Sequence, residues 1–413
     1  MYASVLDNNA TSQIESVASQ STVAIVFVNA DSGEGYIQVD GNLGDRNNLT
    51  LWQGGDLLIE QVASMCNNTV VVVHSTGPVL MPWSTNDNIT AILWAGVPGE
   101  QAGNSIVDVL YGAVSPAARL PFTIGAARAD YGTDILYQPN NGQDAPQADF
   151  AEGVFIDYRA FDLKNVTPTY EFGFGLSYST FSYSDLQIIN HGHLAYNPST
   201  GMTAPAPTLG SVGTAADYLF PAGFTQLKNF IYPYLNSTDL ATDANDPDYG
   251  QVTSAYVPAG AQDGSAQPIP PAGGAPGGNP ELWDVLFSVS ATITNTGKIN
   301  AEEVPQLYIS LGGPNDPKVA LRNFERLSID AGMSTTFYAD ITRKDLSNWD
   351  TAAQDWFISS YEKKVFVGPS SRNLPLTGTL PISGVNSTVT SGMPKASMQY
   401  GTSSVMNMTN VSK

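Results

Sequence analysis

Only one cysteine, Cys66, occurs in 413 residues, so no disulfide can close within the chain and cysteine usage does not report the compartment. Its place late in a helical pattern reads as a buried thiol. Positive charge is also scarce: 17 Lys and Arg stand against 38 Asp and Glu, for a formal charge of −21. That balance argues against nucleic acid or an anionic membrane surface as a partner, whereas a neutral polyol meets no such repulsion. No apolar run reaches the roughly 18 residues of a membrane span. Met1 to Asp7 has neither the basic n-region nor the apolar h-region of a signal peptide. The three histidines, His74, His191 and His193, are not spaced as zinc ligands, and no cofactor is expected.

What is present is a globular chain. Apolar residues make up 42%, and the length suggests two or three domains, each able to bury a core. Asn-X-Ser/Thr sequons recur at Asn9, Asn48, Asn67, Asn88, Asn165, Asn236 and Asn386, with two more at Asn407 and Asn410. Such density suits a secreted glycoprotein. Together with the missing signal peptide it predicts a chain that begins part-way into a longer, extracellular protein.

The strongest local signal is Val23-Ala24-Ile25-Val26-Phe27-Val28, a β-branched run expected to be a strand buried on both faces of a parallel sheet. After it, Asp31-Ser32-Gly33-Glu34-Gly35-Tyr36 brackets one carboxylate with two glycines, a turn able to hold it beyond the strand end. In open α/β sheets ligands bind at that edge. A helix is expected before the strand, with Ile14, Val17 and Ala18 on one face, and another over Leu57 to Met65, capped by Asp56. Further buried strands are expected at Thr69–His74 and Thr90–Ala95, then a helix at Gly103–Tyr111. This alternation predicts an α/β domain over residues 1–176, truncated at its start. The first strand of a second, all-β domain falls within 177–190, and a Pro/Gly-rich insertion fills 191–282. Its aromatics Phe230, Tyr232 and Tyr234 suggest packing onto a surface. From Phe287, strict alternation sets Phe287, Val289, Ala291 and Ile293 against Ser288, Ser290, Thr292 and Thr294, and short strands follow at 306–311, 335–341 and 364–367. Residues 283–382 therefore read as a β-sandwich and 383–413 as a Ser/Thr-rich disordered tail.

Several stretches carry a family likeness. Val26 to Trp52 resembles the acid/base loop of the fungal family-three glycoside hydrolases, the β-glucosidases. Glu152-Gly153-Val154-Phe155-Ile156-Asp157-Tyr158-Arg159 and Tyr170-Glu171-Phe172-Gly173-Phe174-Gly175-Leu176-Ser177-Tyr178 are similar to that family's α/β sandwich, and Ile293–Gly297 with Val304–Ile309 to its fibronectin-type-III module. From composition alone, Glu34 is a solvated turn residue. The resemblance makes it the catalytic acid/base, with Tyr36 lining the sugar site and Asp31 helping to shape the loop. It implies a retaining enzyme acting on terminal β-D-glucosyl residues of cellobiose, aryl glucosides and oligosaccharides, secreted to degrade polysaccharide, with a homodimer left open.

Other patterns are read structurally. Asp40 to Asp45 lacks the carboxylate spacing of a calcium loop, Asp45 and Arg46 can pair locally, and Gly96-Val97-Pro98-Gly99 makes a turn without a phosphate-binding lysine. In the family, the nucleophilic aspartate sits in a Ser-Asp-Trp motif on an N-terminal TIM-type barrel, and neither motif nor barrel pattern occurs here. Two readings therefore stand: the later part of a β-glucosidase that needs the barrel, or an inactive carbohydrate-associated scaffold. Either way, the sheet is expected to have an unpaired edge near Val23 and a bare apolar face, leaving the first 170 residues poorly soluble alone.

Overall fold

The computed structural model describes residues 5, 7–33, 38–39, 41–140, 142, 146–192, 280–350 and 355–382. The expected insertion and tail lie outside this set, apart from residues 191, 192 and 280–282. The described parts of Met1–Ala195, Trp283–Trp349 and Trp356–Lys413 form one compact unit. A second unit, Tyr196–Leu282 with Asp350–Asp355, is almost wholly outside the described residues.

The α/β part is built on three parallel strands, β1 (Ala24–Ala30), β4 (Thr69–Ser75) and β5 (Ile89–Trp94), in the order β1-β4-β5. A two-residue hairpin, β2 (Gln38–Val39) and β3 (Asn42–Leu43), follows β1. Helices α1 (Thr11–Ala18) and α2 (Gly55–Met65) contribute Ile14, Ala18, Ile59 and Val62 to a core with Val26, Val28, Val71 and Val73. Helix α3 (Ala102–Leu110) buries no residue at all.

The expectation that β1 is covered on both faces fails. Val26, Val28 and Ala30 are buried, but Ile25 is 44% and Phe27 54% exposed. Among the described residues β1 pairs only with β4, so the sheet has the bare edge and apolar face expected of it. Phe27 partly shields itself by stacking on His74, ring centroids 6.4 Å apart. Asp56 is also not the cap of α2: Gly54, left-handed at φ 69°, holds that position. The Asp56 carboxylate instead accepts from Leu51 N–H (3.1 Å) and Trp83 Nε1 (2.8 Å), and its burial pushes the carboxyl pKa up.

The all-β part follows the alternation closely. Strands β6 (Phe181–Asn190), β7 (Val285–Asn295) and β12 (Ser334–Thr342) form one antiparallel sheet in the order β12-β7-β6. Strands β9 (Gln306–Ser310), β10 (Ala320–Phe324), β15 (Lys363–Gly368) and β16 (Leu376–Leu380) form another, ordered β10-β9-β15-β16. The short β8 (Ala301–Glu303) pairs with β11 (Leu327–Ile329), and β13 (Asn348–Asp350) and β14 (Asp355–Phe357) complete the set. Phe287, Val289, Ala291 and Ile293 are buried in one core with Leu307, Ile309, Phe337, Val365 and Val367. Strand β6 lies within the expected 177–190, and a bulge around Asp185 (φ 54°) shifts its register between Ser184 and Gln187 before pairing resumes.

Residues 117–178 join the two parts through buried polar contacts. Arg119 Nη2 meets Glu303 Oε1 at 2.7 Å, with side chains only 8% and 3% exposed, and the same oxygen accepts from Tyr183 OH at 2.9 Å. Helix α4 (Tyr158–Leu163) is capped by Asp157, which also accepts from Thr123 N–H and Thr123 Oγ1. Tyr158 stacks on Phe172 at 4.6 Å and accepts from Leu321 N–H. Gln306 Nε2 donates to the carbonyls of Gly173 and Pro369. Gly173 is left-handed at φ 78°, and a Cβ there would lie 2.2 Å from Gln306 Oε1. The two motifs at 152–159 and 170–178 thus build this junction.

Lys363 is fully buried, its Nζ donating to the carbonyls of Leu311, Ser359 and Tyr361 and to Ser359 Oγ. Burial outweighs the pull of Asp316 and pushes its pKa down to about 8. An unfolded lysine keeps its proton to about pH 10. The unfolded chain therefore binds more protons between those values, and this group makes stability rise with pH across that window. Urea melts from pH 7 to 10 are expected to show that rise in the parent and a flatter limb in Lys363→Met. A second test concerns the bare face. Ile25→Thr with Phe27→Thr keeps strand propensity and is expected to hold Tm within about 3 °C, since exposed positions contribute little, while reducing light scattering on concentration. A larger Tm loss would show that these side chains are covered.

Candidate functional site

The ends of β1, β4 and β5 lie along one edge of the parallel sheet, the carboxyl edge where such sheets bind ligands. The loop leaving β1 there begins with Asp31, Ser32 and Gly33. Glu34 and Tyr36, the two residues expected to act on substrate, lie outside the described residues. Their flanks are described, and they are tightly tied.

Asp31 Oδ1 accepts from Ser32 N–H at 2.7 Å. The Ser32 hydroxyl donates to Asp45 Oδ1 at 2.8 Å and accepts from Arg46 N–H at 3.2 Å, joining the outgoing and returning strands of the loop through one atom. Between them the hairpin pairs Gln38 with Leu43 and Val39 with Asn42, turning at Gly41 with φ 76°. Where the sequence suggests a local Asp45–Arg46 pair, the guanidinium reaches across to the Pro78 carbonyl at 3.0 Å. Burial holds the Arg46 pKa below its ordinary value. Gly77 makes the room, since a Cβ there would lie 2.9 Å from Arg46 Nη2. One residue on, the Asn47 carbonyl accepts from Arg128 Nη1 at 3.0 Å and Tyr137 OH at 3.1 Å.

Sequence reasoning missed Arg46, Gly77 and Arg128 as a set, because their contacts join stretches 31 to 81 residues apart. A glycine just past a buried strand and before Pro78 was the one available hint. A depression of about 340 Å³ between Met81–Thr85 and Tyr170 is lined by none of the expected site residues.

The sequons differ in setting. Asn9, Asn48, Asn67 and Asn165 are exposed. Asn88 is half-buried and donates its Nδ2 to the Ala63 carbonyl at 2.8 Å. Asn236, Asn386, Asn407 and Asn410 lie outside the described residues. Asn48 Oδ1 accepts from both the N–H and the hydroxyl of Thr50, the third residue of its own sequon. His191 contacts Ser288 Oγ, and His193 is not described. Among the described residues no three His, Cys, Asp or Glu side chains gather as a metal site. Gly96 and Gly99 both have positive φ, at 59° and 65°, as a tight turn requires.

Comparison with known proteins agrees with this architecture. Residues 3–178 match the glycosyl hydrolase family 3 C-terminal domain, and residues 303–371 a fibronectin type III-like domain. The chain is 59% identical over 380 residues to a probable beta-glucosidase A of Aspergillus fumigatus, covering 91% of this chain and 44% of that protein. Among solved structures, a Neurospora crassa family 3 beta-glucosidase shares 57% identity at a TM-score of 0.73, and a Chaetomium thermophilum beta-glucosidase 56% at 0.72. Each similarity covers 92% of this chain and 46% of the other. The chain therefore carries the C-terminal domain of glycosyl hydrolase family 3 joined to a fibronectin type III-like domain, and it spans less than half the length of the fungal relatives it matches.

Proposed function

We propose that this chain is the C-terminal part of a secreted, retaining β-glucosidase, with Glu34 as its general acid/base. The observation that supports this most is the 59% identity to a fungal β-glucosidase over 380 residues. Retention takes two carboxyl groups about 5–5.5 Å apart, one attacking the anomeric carbon while the other protonates the leaving oxygen and later activates water. Glu34 takes the second role, and the nucleophilic aspartate comes from the preceding barrel. No cofactor enters such a double displacement. To donate a proton Glu34 needs a raised pKa, which a sugar closing over the loop supplies by desolvation. Tyr36 stacks on or hydrogen-bonds that sugar. The substrate is a terminal β-D-glucosyl residue of cellobiose, an oligosaccharide or an aryl glucoside. Among the described sequons, Asn9, Asn48, Asn67 and Asn165 are the glycan acceptors exposed to solvent.

The competing reading, an inactive scaffold, draws on the missing half: the chain covers 44% of that relative. One carboxylate cannot complete the displacement, so the purified chain is expected to leave an aryl β-glucoside uncleaved. Fused behind the N-terminal portion of the Aspergillus fumigatus relative, it is expected to hydrolyse cellobiose. In that fusion Glu34→Gln lowers kcat by about 10²–10⁴-fold, the usual contribution of a general acid/base. Azide is expected to restore turnover of an aryl glucoside by attacking the glycosyl-enzyme. A folded fusion whose cellobiose turnover ignores Glu34→Gln overturns the assignment. Turnover by the chain alone, abolished by Glu34→Gln, overturns its dependence on the barrel.

A further inference from the structure

We infer that Arg46 is a positioning residue for the loop that carries Glu34, and that Gly77 exists to admit its guanidinium. The inference rests on the acid/base reading of Glu34. The loop returns to the body of the domain at Asp45–Arg46–Asn47, and three independent contacts grip that point. Ser32 Oγ holds Asp45 and the Arg46 N–H, the Arg46 guanidinium holds the Pro78 carbonyl, and Arg128 with Tyr137 holds the Asn47 carbonyl. Arg46 joins the loop to the turn beyond the carboxyl end of the central strand, because Gly77 and Pro78 lie just past Thr76, the residue after β4. That turn is itself fixed: Ser75 Oγ donates to the Gly77 carbonyl at 2.6 Å, and the adjoining Leu80 N–H donates to the Leu49 carbonyl at 2.8 Å.

The chemistry of Arg46 fits holding better than binding. Its guanidinium is half-buried, its charge is disfavoured there by desolvation, and Tyr131 is the group that favours it. A planar fork aimed at a backbone carbonyl fixes direction as well as distance, which a lysine ammonium does not. A catalytic carboxyl displaced by about 1 Å loses up to about 10²-fold in rate, so a rigid tie at the loop's root matters to the reaction.

The test uses the full chain first. Arg46→Ala and Gly77→Ala are compared with the parent by hydrogen exchange and thermal melting. The added methyl of Gly77→Ala meets only the far end of a flexible side chain, so it is expected to displace the guanidinium at little cost to folding. Both variants should exchange amides across 38–47 at least tenfold faster, the scale of one lost hydrogen bond to a charged donor. Exchange in β7 and β9 should stay unchanged. In the fusion enzyme both should lower kcat about tenfold or more with KM unchanged, and Arg46→Lys should recover only part of it. Unchanged exchange across 38–47 in Gly77→Ala overturns the anchor whatever Glu34 does. Faster exchange with an unchanged kcat overturns the positioning role while leaving Glu34 in place, and loss of the Glu34→Gln effect brings down both.

Discussion

A carboxylate taken out of water must find its charge answered, and Glu303 finds both its partners in other segments of the fold. It is 3% exposed, on β8 of the sandwich, with Arg119 arriving from the α/β part and Tyr183 from β6. Leaving either charge buried and alone typically costs about 3–5 kcal/mol, so the two parts are bound to one relative placement. Arg119 is fixed in turn by its contacts to the carbonyls of Ala117 and Ala118, and Tyr183, its hydroxyl pKa pushed far up by burial beside Glu303, stays a donor. The same two parts also meet through the Gln306 bond to Gly173, the Tyr158 hydroxyl on Leu321 N–H and the Arg372–Asp162 pair. The sandwich serves as a brace for the α/β segment.

That brace matters because the α/β part is half a structure by its own physics. Strand β1, covered on one side, leaves Ile25 and Phe27 in solvent and its outer edge unpaired among the described residues. A sheet edge without charge or proline invites pairing with another strand. Relatives more than twice as long supply additional chain. Under the proposed function, that additional chain brings both the missing layer and the missing nucleophile.

The sequence made some of this legible and hid the rest for identifiable reasons. Strand β7 was readable because period-two alternation has one structural solution, and the bulge at Asp185 was not, because it depends on pairing with β7. The apolar run at Val23–Val28 gave the strand but not its burial, since such a run looks the same whether one layer or two covers it. Asp56 was misread as a cap because an acidic residue in the first helical turn carries that signal even when its carboxylate turns back to Leu51 and Trp83. The motifs at 152–159 and 170–178 stood out by resemblance, yet their work at the junction depends on distant partners, Leu321 for Tyr158 and Gln306 for Gly173, 163 and 133 residues away. Glu34 was legible only through resemblance, and the described flanks add how its loop is rooted.

The central claim is that the buried contact at Glu303 makes the α/β part and the sandwich a single cooperative body. Differential scanning calorimetry of the chain and of Glu303→Ala tests it most directly. The account predicts one transition for the parent, with calorimetric and van't Hoff enthalpies equal, and two resolved transitions for the variant, the sandwich melting last. Two transitions already present in the parent, at the same temperatures as in Glu303→Ala, would contradict it.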